Sequence, residues 1–387
     1  MVATSRLAAL SSQLAMAAAL VSPRSTPQVA LPDKIISGYA NWGQCDEQLV
    51  QACADGVNVL IWFSINLAYD DDAGAPIMTG PATGAAYYDC VASIVRQIRH
   101  QVDHDVLHLV SIGGWNSPHP RTELTGAQWW DFFKQWNEQQ VARPADGWEG
   151  FAGFDWDLEG NDDPESPNNL FSVQVLDIMG VMATLAKADG YIVAMAPAQS
   201  YLDPFGGPEY SRAVNFNPGF GDWQEDFTFH GQNTYAYVLA KYGADIFDFI
   251  SIQLYEGWSG ANYQVTEGGT SASKYLQGIV RASVAGWEVH FESDPTVGLA
   301  SQIVSVAGSQ LVIGLGNGWC APPGPDSKFM LIWPEEVGEA WHALSSVGEA
   351  PRGFMFWTIA EEGATPPGTQ RPLFFTRELV AALEAPT

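Results

Sequence analysis

Beyond residue 33 the chain alternates short apolar runs with longer stretches in which apolar residues recur every three or four positions. The short runs lie near 35–41, 57–66, 106–113, 151–158, 190–197, 247–255, 310–316 and 353–359. Their length and near-continuous apolarity predict parallel strands buried on both faces. Helical periodicity falls between them, near 46–54, 88–102, 126–141, 169–188, 228–242, 272–285, 297–306, 335–346 and 373–384. Eight strand–helix units in succession predict an α/β protein of the (β/α)8 TIM-barrel class. No internal repeat or linker marks a second domain, so residues 33–387 are read as a single domain. In that architecture the working site forms at the C-terminal ends of the strands.

The fourth run carries the chemistry. Phe151-Ala-Gly-Phe-Asp-Trp-Asp-Leu-Glu-Gly160 ends with Asp155, Asp157 and Glu159 at two-residue spacing. Side chains alternate along a strand, so the three carboxylates form a ladder on one face, with rungs roughly 6–7 Å apart. Three full negative charges at that spacing repel, and retaining a proton relieves them. A neutral acid beside an ionised partner is what general acid catalysis requires. A solvated acidic strand end is the plainer reading, against which the flanking Phe151, Phe154, Trp156 and Leu158 argue. A calcium loop is the other, but the twelfth position, which should be a bidentate Glu, is Ser166. No metal is expected.

This segment resembles the signature of family 18 glycoside hydrolases (chitinases and relatives), Asp-x-x-Asp-x-Asp-x-Glu, whose last Glu is the catalytic acid. The chain departs from it at the first position, Ala152. By strand parity residue 152 faces away from the ladder, so the loss is expected to touch packing more than chemistry. Further runs are similar to the family's. Gly38-Tyr-Ala-Asn-Trp42 matches its first strand, where the tyrosine lines the site. Ser111, Gly113 and Gly114 match its third-strand Ser-x-Gly-Gly, and Met195-Ala-Pro197 follows its fifth strand. Taken alone, Tyr39 is as readily a core tyrosine and Met195 a core methionine.

The sixth run, Phe249 to Tyr255, places Ser251, Gln253 and Tyr255 on one face. Polar residues inside a packed barrel need a reason, because each unsatisfied group costs about 1–3 kcal/mol. Gln253-x-Tyr255 resembles the variant of plant- and fungal-type chitinases and of some endo-N-acetylglucosaminidases, in which the tyrosine touches the substrate's acetamido group. Glu256 stands where relatives often have Asn or Asp. Trp357 matches the tryptophan beneath the sugar at the cut. Trp115, Trp258, Trp319 and Trp223 are loop candidates for neighbouring subsites.

The resemblance implies a retaining hydrolase of β-1,4-N-acetylglucosamine linkages without metal or organic cofactor. Glu159 would be the acid and Asp157 would orient the acetamide, with Asp155 adjusting its proton. Tyr255 would hold the acetamide carbonyl, and Tyr39, Ser111, Trp115, Met195, Gln253 and Trp357 would line the site. Only about twenty residues separate the seventh strand from the helix near 335, where larger chitinases carry an inserted domain. An open cleft is therefore expected. An endo-β-N-acetylglucosaminidase acting on N-glycan chitobiose cores would use the same acids. A chitinase-like lectin is a third reading, although such relatives commonly lose the final Glu.

Composition narrows the partners. Forty-four acidic against 17 basic residues give a net charge of −27, unfavourable for nucleic acid and anionic membranes. A neutral polysaccharide fits better, and the 15 Trp, 13 Tyr and 19 Phe include rings in Gly- and Pro-rich loops that could stack on sugars. Chitin or a chitooligosaccharide is the expected partner of a monomeric protein. Before Asp33 the chain has no acidic residue, and Arg6 precedes an apolar run from Leu7 to Val21. Residues 1–32 thus read as a secretory signal, with organellar targeting as the alternative. Cys45, Cys53, Cys90 and Cys320 permit two disulfides in three connectivities and fit no zinc spacing.

Overall fold

The computed structural model describes residues 30–214, 232–255, 257, 259–325, 327 and 329–385. All eight expected strands form: β1 (Ile35–Tyr39), β2 (Val59–Asp70), β3 (Leu107–Gly114), β4 (Gly153–Leu158), β5 (Ile192–Met195), β6 (Phe249–Gln253), β7 (Leu311–Gly316) and β8 (Gly353–Trp357). Each pairs in parallel with its sequence neighbours, and β8 pairs with β1 to close the barrel. A helix follows every strand: α1 (Glu47–Ala54), α2 (Ala85–Gln101), α3 (Gly126–Trp136), α4 (Val173–Ala188), α5 (Ala236–Tyr242), α6 (Ala272–Ala285), α7 (Pro334–Ser345) and α8 (Phe375–Glu384). The fold is a (β/α)8 barrel.

Packing around β4 shows how the outer layer aims the inner one. Thr125 and Gln128 form a capping box that starts α3, and the helix buries Trp129, Trp130, Phe133 and Trp136. Phe133 and Trp130 stand 5.3 and 6.2 Å, centroid to centroid, from Phe154 on the outer face of β4. Burying each such ring is worth about 1.5–3 kcal/mol, which fixes the outward set and so sends Asp155 and Asp157 inward. At Gly153 a Cβ would lie 1.7 Å from the Ile192 carbonyl oxygen. Only glycine lets β5 approach there.

One expected helix is absent. The run 297–306 has helix-like spacing, yet Pro295–Val297 makes a single 3-10 turn, capped by Asp294 through the Thr296 amide. Gly298 then turns left-handed at φ 66°, and Gln302–Val304 pairs antiparallel with Trp287–Val289. The turn ends the helix at once, and the β-branched Ile303 and Val304 suit the ribbon. Of the expected 228–242 helix, the part from Ala236 is seen, and 228–231 lie outside the described residues. Residues 317–333 connect β7 to α7 without an inserted domain among those described.

Cys45 and Cys90 form a disulfide between the β1–α1 loop and α2, whereas Cys53 and Cys320 are buried thiols. One bridge therefore forms where two were permitted. No helix among the described residues is long and apolar enough to cross a membrane. The bridge spans a sequence separation of 45. A Cys45→Ser/Cys90→Ser double variant is expected to lose about 2–4 kcal/mol of stability. Urea denaturation checks this, and an unchanged midpoint would deny the bridge a structural role.

Candidate active site

The ladder occupies the C-terminal mouth of the barrel. Asp155 is fully buried, and Asp157 and Glu159 keep only 4% and 5% exposure. Asp155 accepts hydrogen bonds at Oδ2 from the Tyr39 hydroxyl at 2.5 Å and from Ser111 Oγ at 3.4 Å. Its Oδ1 is buried without a protein partner. Burial pushes the Asp155 carboxyl up to about 7, and the two hydroxyl donors oppose that shift. Tyr39 is itself held well above the usual phenol range by burial and by the Asp155 and Asp157 charges, so it stays a neutral donor. Asp157 Oδ1 accepts from Gln253 Nε2 at 2.9 Å, and the same amide nitrogen donates to the Ala196 carbonyl at 2.7 Å. That is the reason for a polar residue inside β6.

Two residues grip the backbone that carries Glu159. The Tyr235 hydroxyl accepts from the Leu158 amide and donates to its carbonyl, both at 2.8 Å. His119 Nε2 lies 2.8 Å from the Glu159 carbonyl, and its ring rests 4.3 Å from that of Phe171. Burial lowers the His119 pKa to about 4, so the ring is neutral near pH 7 and the contact assigns the proton to Nε2. Both groups bind main chain, which leaves the Glu159 side chain to face the cleft.

The cleft measures about 390 Å³ and is lined by Asp157, Glu159, Tyr255, Trp357, Trp42, Phe63, Trp115 and Asn116. Phe63 packs edge-on against Trp42 at 4.5 Å and Trp357 at 4.7 Å, giving a continuous aromatic wall. The peptide bonds Phe63–Ser64 and Trp357–Thr358 are cis. Trp115 Nε1 and Asn116 Nδ2 donate to the two carboxylate oxygens of Asp162 at 2.9 and 2.6 Å, and the Asp162 amide donates back to Asn116 Oδ1 at 2.8 Å. Asn116 is left-handed (φ 65°), a conformation Asn tolerates, and its own amide reaches the Gly160 carbonyl at 3.1 Å. The loops after β3 and β4 are thereby clasped into one rim.

The sequence-predicted residues divide by depth. Glu159, Asp157, Tyr255, Trp115 and Trp357 meet in the cleft, and Tyr39, Ser111 and Gln253 lie beneath it as partners of the carboxylates. Met195 is different. It is fully buried and in register with Trp156 and Ile250, on the strand faces opposite the ladder, so alternation along β5 places it in the outer layer rather than in the cleft. Ala152 lines a separate cavity of about 400 Å³ with Arg99, His108 and Trp148. Trp319 buttresses the site: its Nε1 donates to the Trp357 carbonyl at 2.7 Å, and its ring stands 5.9 Å from Tyr255. Trp223, Glu256 and Trp258 lie outside the described residues.

Phe63, Asn116, His119, Asp162 and Tyr235 were not foreseen. Phe63 reads as one more apolar residue of a buried strand, and Tyr235 meets Leu158 across 77 residues of chain. Among the described residues no group of three His, Cys, Asp or Glu side chains is arranged to hold a metal ion.

No protein-family model matches the sequence, and no curated protein matches it significantly. Solved structures do match. A fungal endo-β-N-acetylglucosaminidase from glycosyl hydrolase family 18 aligns over 92% of this chain and 99% of its own, at 15% identity and TM-score 0.52. The catalytic domain of a hyperthermophilic chitinase from Pyrococcus furiosus covers 92% and 96% at 11% identity, TM-score 0.53. The Legionella pneumophila ChiA C-terminal domain covers 90% and 97% at 14% identity, TM-score 0.51. The fold is that of family 18 glycoside hydrolases.

The burial of Asp155 gives a measurable dependence on pH. Its folded pKa, about 7, lies above the unfolded carboxyl value near 4. The stabilising contribution is therefore full below pH ~4 and is lost as pH rises through about 7, amounting at most to roughly 4 kcal/mol. Wild type should gain stability as pH falls from 7 to 4, relative to Asp155→Asn. Parallel stability–pH curves for the two proteins would refute the burial argument.

Proposed function

We propose that the chain is a family 18-type hydrolase that cuts β-1,4 links between N-acetylglucosamine units, as a chitinase does. One observation carries the reading: Glu159 and Asp157 share a cleft walled by Trp42, Trp357 and Tyr255, with Asp157 anchored by Gln253. Flat rings suit sugar faces, and the two acids in the same cleft supply the groups that a glycosidic oxygen and an acetamide need.

The steps follow from the residues. Glu159 gives its proton to the glycosidic oxygen as the bond to the anomeric carbon breaks. The carbonyl oxygen of the substrate's own acetamide bonds to that carbon on the opposite face, forming an oxazolinium. Substrate-assisted chemistry of this kind needs no second carboxylate across the ring. Asp157 accepts the acetamide N–H and stabilises the positive charge that develops there. Asp155, neutral or ionised around pH 7, adjusts how much charge Asp157 carries. Tyr255 holds the acetamide carbonyl in line. Glu159 then removes a proton from water, whose oxygen bonds to the anomeric carbon as the bond to the acetamide oxygen breaks, which regenerates the acetamide and restores the β-configuration.

A second reading shares every one of these groups: an endo-β-N-acetylglucosaminidase acting on N-glycan chitobiose cores. The short connection 317–333 favours an open cleft that a branched glycan could enter. A chitinase-like lectin is disfavoured because the acid, Glu159, is in place. The Cys45–Cys90 bridge supports an oxidising compartment, and with it secretion, with residues 1–32 serving as a leader. Colloidal chitin, chitooligosaccharides and a high-mannose glycoprotein assayed side by side would choose between the substrates.

Glu159→Gln should retain sugar binding while turnover falls by about 10²- to 10⁴-fold, since only the proton donor is removed. Near wild-type turnover in that variant would take Glu159 out of the role.

The acetamide mechanism has its own signature. Partially deacetylated chitosan should be cut only after N-acetylated units, and the first-formed product should be the β-anomer. Sequencing of the products and NMR of the nascent reducing end test both points. An α-anomer, or cleavage after glucosamine, would sink the mechanism even if chitin were degraded.

A further inference from the structure

A second pocket lies outside the cleft. It measures about 390 Å³, the same as the cleft itself, and is bounded by the loops that follow β5 and β6 and by the first turns of α6. Its loops continue the two strands that carry Met195 and Gln253, and its lining shares no residue with that of the cleft.

Its floor is a buried hydrogen-bond knot. Gln199 Oε1 accepts from Ser259 Oγ at 2.7 Å, the Tyr275 hydroxyl at 2.8 Å and the Gly260 amide at 3.2 Å. Gln199 Nε2 donates to Asp203 Oδ1 at 3.2 Å, and that oxygen also accepts the Phe205 amide at 2.9 Å. Asp203 is fully buried and Gln199 nearly so. This network fixes the backbone of Phe205, whose ring is nonetheless 47% exposed and stands 5.6 Å from Tyr275. Holding a large apolar ring open to water by a buried polar network costs free energy that folding inward would recover. Around the ring, Gln264, Thr270 and Lys274 offer amide, hydroxyl and ammonium groups at the rim. An exposed aromatic face bordered by hydrogen-bonding groups is the pattern that takes a pyranose ring, one face apolar and its edge hydroxylated.

We propose that this pocket is a second carbohydrate site, which holds a non-reacting part of the N-acetylglucosamine polymer against Phe205. The inference rests on the proposed function for its choice of sugar. Its role would be to keep an extended chain on the enzyme, adding avidity to binding in the cleft.

The test uses the full chain carrying Glu159→Gln, titrated calorimetrically with tetra-N-acetylchitotetraose. Two binding events are expected. Adding Phe205→Ala should remove one, weakening it at least tenfold, while Trp357→Ala weakens the other. Lys274→Ala, at an exposed position of α6, repeats the test without disturbing Phe205. A single event that Trp357→Ala weakens and neither Phe205→Ala nor Lys274→Ala affects would overturn the second site and leave the cleft reading standing. A single event sensitive to Phe205→Ala but not Trp357→Ala would support the second site and overturn the proposed function of the cleft. Absence of binding would overturn both.

Discussion

The structure depends on putting carboxylates inside a closed barrel and keeping them there. An isolated buried carboxylate costs several kcal/mol, and the common remedy is a cationic partner. Here Asp155 and Asp157 are met instead by neutral donors: the Tyr39 and Ser111 hydroxyls and the Gln253 amide. The difference matters chemically. A lysine or arginine would stabilise full ionisation and hold the carboxyls low. Neutral donors soften the cost without fixing the charge, so Asp155 rises to about 7 and a proton can remain among the ladder's members. The same burial keeps Tyr39 a donor across the physiological range.

Neutral donors help only if their distances hold, and this explains the rigidity around β4. Phe154 is clamped from outside by Trp130 and Phe133, and Gly153 brings β5 in close. Beyond the strand, Tyr235 satisfies both main-chain groups of Leu158, and neutral His119 satisfies the carbonyl of Glu159. Main-chain groups that leave a sheet must be paired elsewhere or stay solvated. Pairing them with buried side chains extends the order of the strand past its last ladder bond, to the residue that needs it. The rim repeats the device, with Asp162 tying Trp115 to Asn116.

Much of this was legible in the sequence, for reasons that differ by residue. The eight strands could be read because a parallel strand buried on both faces is largely apolar, and runs this short do not suit helices. The ladder could be read because period two assigns a face without knowledge of the partner strand. Gln253 stood out as a polar residue on an interior face. Tyr235 and His119 did not, because their value lies in contacts with main chain 77 and 40 residues away, which leave no mark in local periodicity. Phe63 was hidden by the rule that exposed β2, since an apolar residue within a buried strand looks like core. At 297–306 apolar spacing suggested a helix, but Pro295 and Gly298 bounded a single turn and the β-branched residues took the ribbon. Met195 fails by one residue of parity, where the likeness of a short motif outweighed the register of β5.

Ala152 shows why a motif should be divided by strand face before it is used. The family 18 signature runs through its first and later acidic positions as if they were one unit, yet on this strand they belong to opposite layers. Ala152 immediately precedes β4, its amide bonded to the His108 carbonyl, beside a cavity shared with Arg99, His108 and Trp148. His108 is buried and held neutral there, with its pKa lowered to about 3. A carboxylate at residue 152 would bear on that environment, at the N-terminal end of the barrel, where barrels carry stability rather than chemistry. The inner three rungs answer to a different requirement, the holding of a proton among buried carboxylates, and all three are present. A barrel can therefore share this fold at 11–15% identity, carry an alanine at the outer position 152 and still hold three carboxylates on the inner face. Outer-layer packing accepts many sequences of similar volume, whereas the ladder's chemistry accepts few.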